Sequence, residues 1–125
     1  VEVHALRDPT RGGVAAVLNE IASASHVGVV IDEVTVPVAA EVRSACALLG
    51  LDPMQVANEG RLVAWVAGRD GERAVQVLRA CTGGEQAVAI GHVVDEHPGM
   101  VVGRTAIGGT RIIDVPLGEL LPRIC

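Results

Sequence analysis

Three groups of residues in this 125-residue chain have types and spacings suited to chemistry. The first is Arg7-Asp8-Pro9-Thr10-Arg11-Gly12-Gly13, which runs directly into a helical pattern. Backbone N–H groups at a helix start, with two glycines leaving them uncovered, form a ready anion site, and Arg7, Thr10 and Arg11 can add donors. The spacing is neither that of a Walker A loop nor that of a dinucleotide fingerprint. A helix start with a Pro-set turn and no ligand accounts for the same residues.

The second group is the ending Leu121-Pro122-Arg123-Ile124-Cys125. A thiol on the last residue of an arm can be carried to a separate site, and a nearby cation favours its nucleophilic thiolate. A frayed end that happens to carry a cysteine fits equally well. Prenylation is excluded by position, because that signal places the cysteine four residues from the end. The third group is Asn58-Glu59-Gly60, a carboxylate beside a glycine at the start of a strand-like run. There burial can tune a carboxyl for proton transfer, although a solvated loop acid is the ordinary alternative.

Elements that would position these groups follow from periodicity. Val1 to Leu6 reads as a strand, and Val14, Val17, Leu18, Ile21 and Ser25 recur at helical spacing. Val27 to Ile31 reads as a second strand. Pro37 suits the first position of a helix with Val38, Val42, Ala45 and Leu49 on its apolar side, ended by Gly50. After the turn at Asp52-Pro53, residues 62–66 form a strand, and Asp70 caps a helix carrying Ala74, Val75 and Leu78, closed by Gly83-Gly84. Three short strands are expected at 87–90, 100–102 and 111–113, separated by turn clusters at 96–99 and 108–109. The predicted fold class is α+β, a mainly antiparallel sheet with packed helices, because short turns cannot join parallel neighbours. Residues 1–116 are expected to form the domain and residues 117–125 a mobile tail.

Composition narrows the function classes. Half the residues are hydrophobic and Trp65 is the only aromatic, so packing relies on branched aliphatics. Net charge is -5 and no basic cluster occurs, which argues against nucleic acid. All ten basic residues are arginine, so a lysine base or Schiff base within this chain is excluded. No apolar run approaches the length of a membrane span, and a soluble, cytoplasmic protein is expected. Cys46, Cys81 and Cys125 make neither a disulfide framework nor a zinc pattern, and His4, His26, His92 and His97 share no ligand spacing, so no metal site is expected here. The chain starts at Val1 and moves at once into a strand, as a piece of a longer protein would.

His4 to Gly13, Leu49-Gly50-Leu51-Asp52-Pro53 through Ala57-Asn58-Glu59-Gly60, Gly108-Gly109-Thr110-Arg111 and Leu121 to Cys125 together resemble the carbamoyl dehydratases of the HypE type, over nearly the whole chain. The Asp-Pro-Thr-x-Gly-Gly part is also similar to aminoimidazole ribonucleotide (AIR) synthetase and selenophosphate synthetase, and the Pro-Arg-Ile-Cys ending singles out HypE. The resemblance implies a domain like the carboxyl-terminal domain of AIR synthetase. It also implies a hydrogenase maturation role, in which a carbamoyl group loaded by the carbamoyltransferase HypF onto Cys125 is dehydrated with ATP to a thiocyanate. The cyanide then passes to iron on a HypC–HypD scaffold for nickel-iron hydrogenase. By the same resemblance Cys125 is the carrier, Glu59 the base, and Asp8, Thr10, Arg11, Gly12 and Gly13 face the ATP phosphates. Most ATP and Mg²⁺ ligands, and homodimerisation, are implied to lie in an amino-terminal half outside this sequence. His92 departs from the pattern, where an acid is expected. An AIR or selenophosphate synthetase-type domain, and a non-catalytic module of the same fold, remain alternatives.

Overall fold

The helix from Gly13 to Ser25, α1, carries the packing of the molecule. Ala15, Leu18 and Ala22 repeat on one side and are buried to 2% exposure or less. They face β2 (Gly28–Asp32) and β5 (Val101–Arg104), whose Val29, Ile31 and Val101 are equally buried. Val36, Met54 and Ile113 complete this cluster, and Val63, Trp65 and Ile90 pack on its margin. Small and branched residues alternate across the interface, which lets helix and sheet approach closely without aromatic filler. The computed structural model describes residues 1–115.

The remaining elements are β1 (Val3–Arg7), α2 (Ala40–Leu49), a 3-10 turn at Pro53–Gln55, β3 (Val63–Val66), α3 (Gly71–Arg79), β4 (Gly91–Val94) and β6 (Thr110–Ile112). β1 and β3 form an antiparallel pair. The other four strands form one sheet in the order β4-β2-β5-β6. Three of the four strand pairings are antiparallel and β2 with β5 is parallel, so the class is α+β with a mainly antiparallel arrangement, as the sequence predicts. The short connection between β4 and β5 does not join neighbours. It crosses the start of β2, and Gly28 makes the crossing possible: a Cβ there would press on His97 and on the carbonyl of Glu96.

Several expected boundaries move. The strand expected at 87–90 lies at 91–94, where Gly91 pairs with Ile31 and a side chain at that position would strike the backbone of β2. The second helix begins at Ala40, three residues past Pro37, with Gly50 in the left-handed conformation at its end as expected. Asp70 sits at the start of α3 without capping it, and its carboxylate instead accepts the Glu2 N–H at 2.7 Å. The expected tail, 117–125, lies outside the described residues.

Candidate active site

The glycine loop forms as a tight double left-handed turn. Gly12 and Gly13 have φ of +77° and +66°, and the Gly13 N–H donates to the Thr10 carbonyl at 3.1 Å. A Cβ on Gly13 would sit 2.6 Å from the Met54 carbonyl oxygen and 2.5 Å from that of Val56, so only glycine lets α1 seat on the 53–55 turn. Gly12 provides no side-chain cap for α1. Among the described residues, the first-turn N–H groups of Val14 and Ala15 find no backbone acceptor outside the helix. Uncapped first-turn donors are what an anion site at a helix start requires.

Asp8 and Arg11 are exposed and Thr10 is half-buried, all on the approach to this helix start. Arg7 is less available than its position suggests. Its guanidinium donates to Glu20 on α1 at 2.7 Å, which returns that donor to the fold.

The Glu59 loop is joined to the glycine loop through the backbone. The Asn58 N–H donates to the Pro9 carbonyl at 3.0 Å, and Pro9 is fully buried. Asp8, Pro9, Asn58, Glu59 and Gly60 therefore share one rim of a cleft of about 950 Å³, walled further on by Trp65, α3 and the segment that precedes β4. Thr10, Arg11, Gly12 and Gly13 lie outside that lining. Glu59 itself is exposed, which matches the ordinary alternative, a solvated loop acid. Gly60 holds φ +68° in open space.

A charge cluster that sequence reasoning missed joins Glu33, Asp52 and Arg111. Arg111 donates to both Glu33 oxygens at 2.6 and 3.0 Å and reaches Asp52 Oδ2 at 2.7 Å. The Glu33 hydrogen bond, with Asp52 as a further contributor, holds the guanidinium pKa above its ordinary value. Gly103 pairs with Arg111 in register and leaves the space the Glu33 carboxylate occupies. Asp52 uses its other oxygen to cap the 53–55 turn, accepting the Met54 N–H at 2.9 Å. The signals in the sequence were the capping position of Asp52 before a proline and an arginine two residues after a diglycine hairpin turn. Neither names its partner, because the three charges lie far apart along the chain.

Among the described residues no group of three or more His, Cys, Asp or Glu side chains is placed to hold a metal ion. No helix of the described residues is long and apolar enough to cross a membrane. Cys125 lies outside the described residues.

Residues 1–103 match the model of the family described as AIR synthase related protein, C-terminal domain. The chain belongs to that family. Over 123 residues, 98% of the chain, it is 50% identical to the carbamoyl dehydratase HypE of Cupriavidus necator, of which it covers 35%. The carbamoyl dehydratase HypE of Escherichia coli strain K12 is 43% identical over a stretch of equal length, 36% of that protein. Among solved structures, a hydrogenase maturation protein HypE in complex with ATP superimposes with a TM-score of 0.90 at 45% identity, covering 99% of this chain and 38% of that one. A HypE–HypF complex superimposes with a TM-score of 0.86 at 42% identity, covering 91% of this chain and 37% of that one. The chain thus spans just over a third of the relatives it matches. The family match and the HypE likeness bear out the expected relationship and fold.

Proposed function

We propose that this chain is part of an ATP-dependent carbamoyl dehydratase of hydrogenase maturation, in which Cys125 carries the substrate and Glu59 acts as the base. The observation that carries the reading is one segment, 52–59, on which the proposed parts converge. Its turn seats Gly13, its Asn58 N–H holds the Pro9 carbonyl, and Glu59 ends it. The Gln55 side chain donates to the Asp114 carbonyl at 3.2 Å, next to the departure point of the carrier segment. Cys125 lies ten residue steps beyond Val115, a reach of at most about 35 Å, whereas Glu59 lies within about 15 Å of Gln55 along the chain. The arm is therefore long enough.

The first-turn amides of α1, with Thr10 and Arg11, are suited to hold phosphate oxygens, and Asp8 stands beside them. ATP, when bound, supplies the phosphoryl group that converts the carbamoyl oxygen into a leaving group. The carbamoyl nitrogen gives up one proton to solvent as its oxygen is phosphorylated and the second as the oxygen departs with the phosphate, so the S–C bond is retained and a nitrile remains on sulfur. Glu59 takes a nitrogen proton, and a weak base suffices because activation of the carbon acidifies that N–H. Most ATP and Mg²⁺ ligands are assigned to the remainder of the full-length protein, which also supplies the homodimer contact.

The carbamoyl donor is HypF and the cyanide acceptor a HypC–HypD complex serving nickel-iron hydrogenase. A relative solved with HypF supports the first of these. The expected location is the cytoplasm. Replacing Cys125 by Ser in the full-length protein tests the reading against a synthetase-type domain. Loss of all cyanated product is expected, whereas persistent product overturns the carrier role.

A further inference from the structure

We infer that Asn19, Gln55 and Arg111 are positioning residues that fix where, and in which direction, the carrier segment leaves the domain. The inference rests on the reading of Cys125 as the carrier and names the residues that aim it. Four contacts, from α1, the end of β2 and the 52–55 turn, converge on residues 111–114. Arg111 is clamped by Glu33 and Asp52. Asn19 Nδ2 on α1 donates to the Ile113 carbonyl at 2.9 Å and to the Ala15 carbonyl of its own helix at 2.8 Å. Gln55 Nε2 donates to the Asp114 carbonyl.

Two features separate this arrangement from ordinary fold maintenance. The sheet ends at Ile112, and Ile113 is already secured by its 2% exposure and by its N–H donating to the Val101 carbonyl at 2.9 Å. The Gln55 bond lies beyond both and is exposed, so it adds little to stability and acts mainly on the path of the backbone. Three of the anchors, Asn19, Asp52 and Gln55, also come from the two elements that frame the glycine loop, α1 and the 52–59 segment. Root and site are therefore built on one support, and motion of one relative to the other is suppressed.

Ile113 stays held by its burial and its bond to Val101, so loss of the two donors frees at most about two further residues. The added length alone lowers the effective concentration of the thiol by about 1.3-fold, and loss of direction supplies the rest of the expected effect. The test uses full-length protein preloaded with a carbamoyl group on Cys125 and follows one turnover after ATP is added. Asn19→Ala with Gln55→Glu removes both donors and is expected to slow the turnover about two- to fivefold, with ATP affinity and melting temperature at parental values. Gln55→Lys, which restores a donor, is expected to recover the rate lost in Gln55→Glu. A double variant at the parental rate overturns the inference and leaves the carrier reading intact. A slowdown matched by loss of ATP affinity or of melting temperature makes these residues structural and also overturns it. A parental protein that never converts its carbamoyl group removes the carrier reading, and this inference falls with it.

Discussion

Gly13 and Gly60 hold nearly the same left-handed backbone, at φ +66° and +68°, in opposite surroundings. Gly60 faces open space, whereas Gly13 is wedged against the Met54 and Val56 carbonyls. Alanine at Gly60 should therefore cost only the backbone penalty, about 1–2 kcal/mol, whereas alanine at Gly13 adds a collision with backbone and should cost roughly 3–4 kcal/mol. Denaturant midpoints of the two variants check the order; equal losses would mean that α1 does not seat on the turn. At the proposed chemistry, Glu59→Gln in full-length protein keeps the shape and removes the base. Dehydration is expected to slow by about 10²–10⁴-fold, read by the rate at which cyanated product appears. The tight turn at the glycine pair was legible because its residue types announce it, whereas the role proposed for Glu59 comes from the resemblance and not from its residue type. Arg111 was not, since an arginine in a hairpin gives no hint of two carboxylates from distant parts of the chain.

Between elements, Arg111 ties the β5–β6 hairpin to the end of β2 through Glu33 and to the 53–55 turn through Asp52. Its guanidinium side chain is 42% exposed, so the pair is discounted for solvent. Arg111→Ala is expected to lower stability by only about 1 kcal/mol, read in the denaturant midpoint. A folded pKa raised above the unfolded value gives stability that is present below the unfolded pKa and lost only as pH rises through the folded one. For a guanidinium both lie in strongly alkaline solution, so the gap between parent and variant should stay constant from about pH 7 to about pH 10. A gap that closes in that range would implicate another titrating group. Leu18, 2% exposed in the centre of the α1 interface, is a larger contributor: Leu18→Ala should cost about 2–5 kcal/mol. The three helices and most strands were legible from period and from Gly and Pro punctuation. The strand beginning at Gly91 was displaced because Ala87 to Ile90 has better strand composition, whereas pairing depends on which residue tolerates contact with β2. The parallel pairing of β2 with β5 was also hidden, since it arises from a short connection crossing over β2 rather than from a crossover helix.

At the scale of the molecule, the chain spans just over a third of its relatives' length, and on the proposed reading it carries one part of a shared apparatus. It offers a glycine loop, an exposed carboxylate and an anchored 111–114 segment, and among the described residues no metal-binding cluster. If most ATP ligands lie in the rest of the full-length protein, as proposed, the 125 residues alone are expected to show little or no ATP hydrolysis, and robust turnover would place the phosphate machinery within this domain. The mass of intact full-length protein is the most direct test of the central claim. After loading by the carbamoyltransferase, Cys125 should gain the mass of one carbamoyl group, and on addition of ATP that adduct should lose the mass of one water. An adduct that forms on another residue, or that keeps its full mass with ATP present, would contradict it.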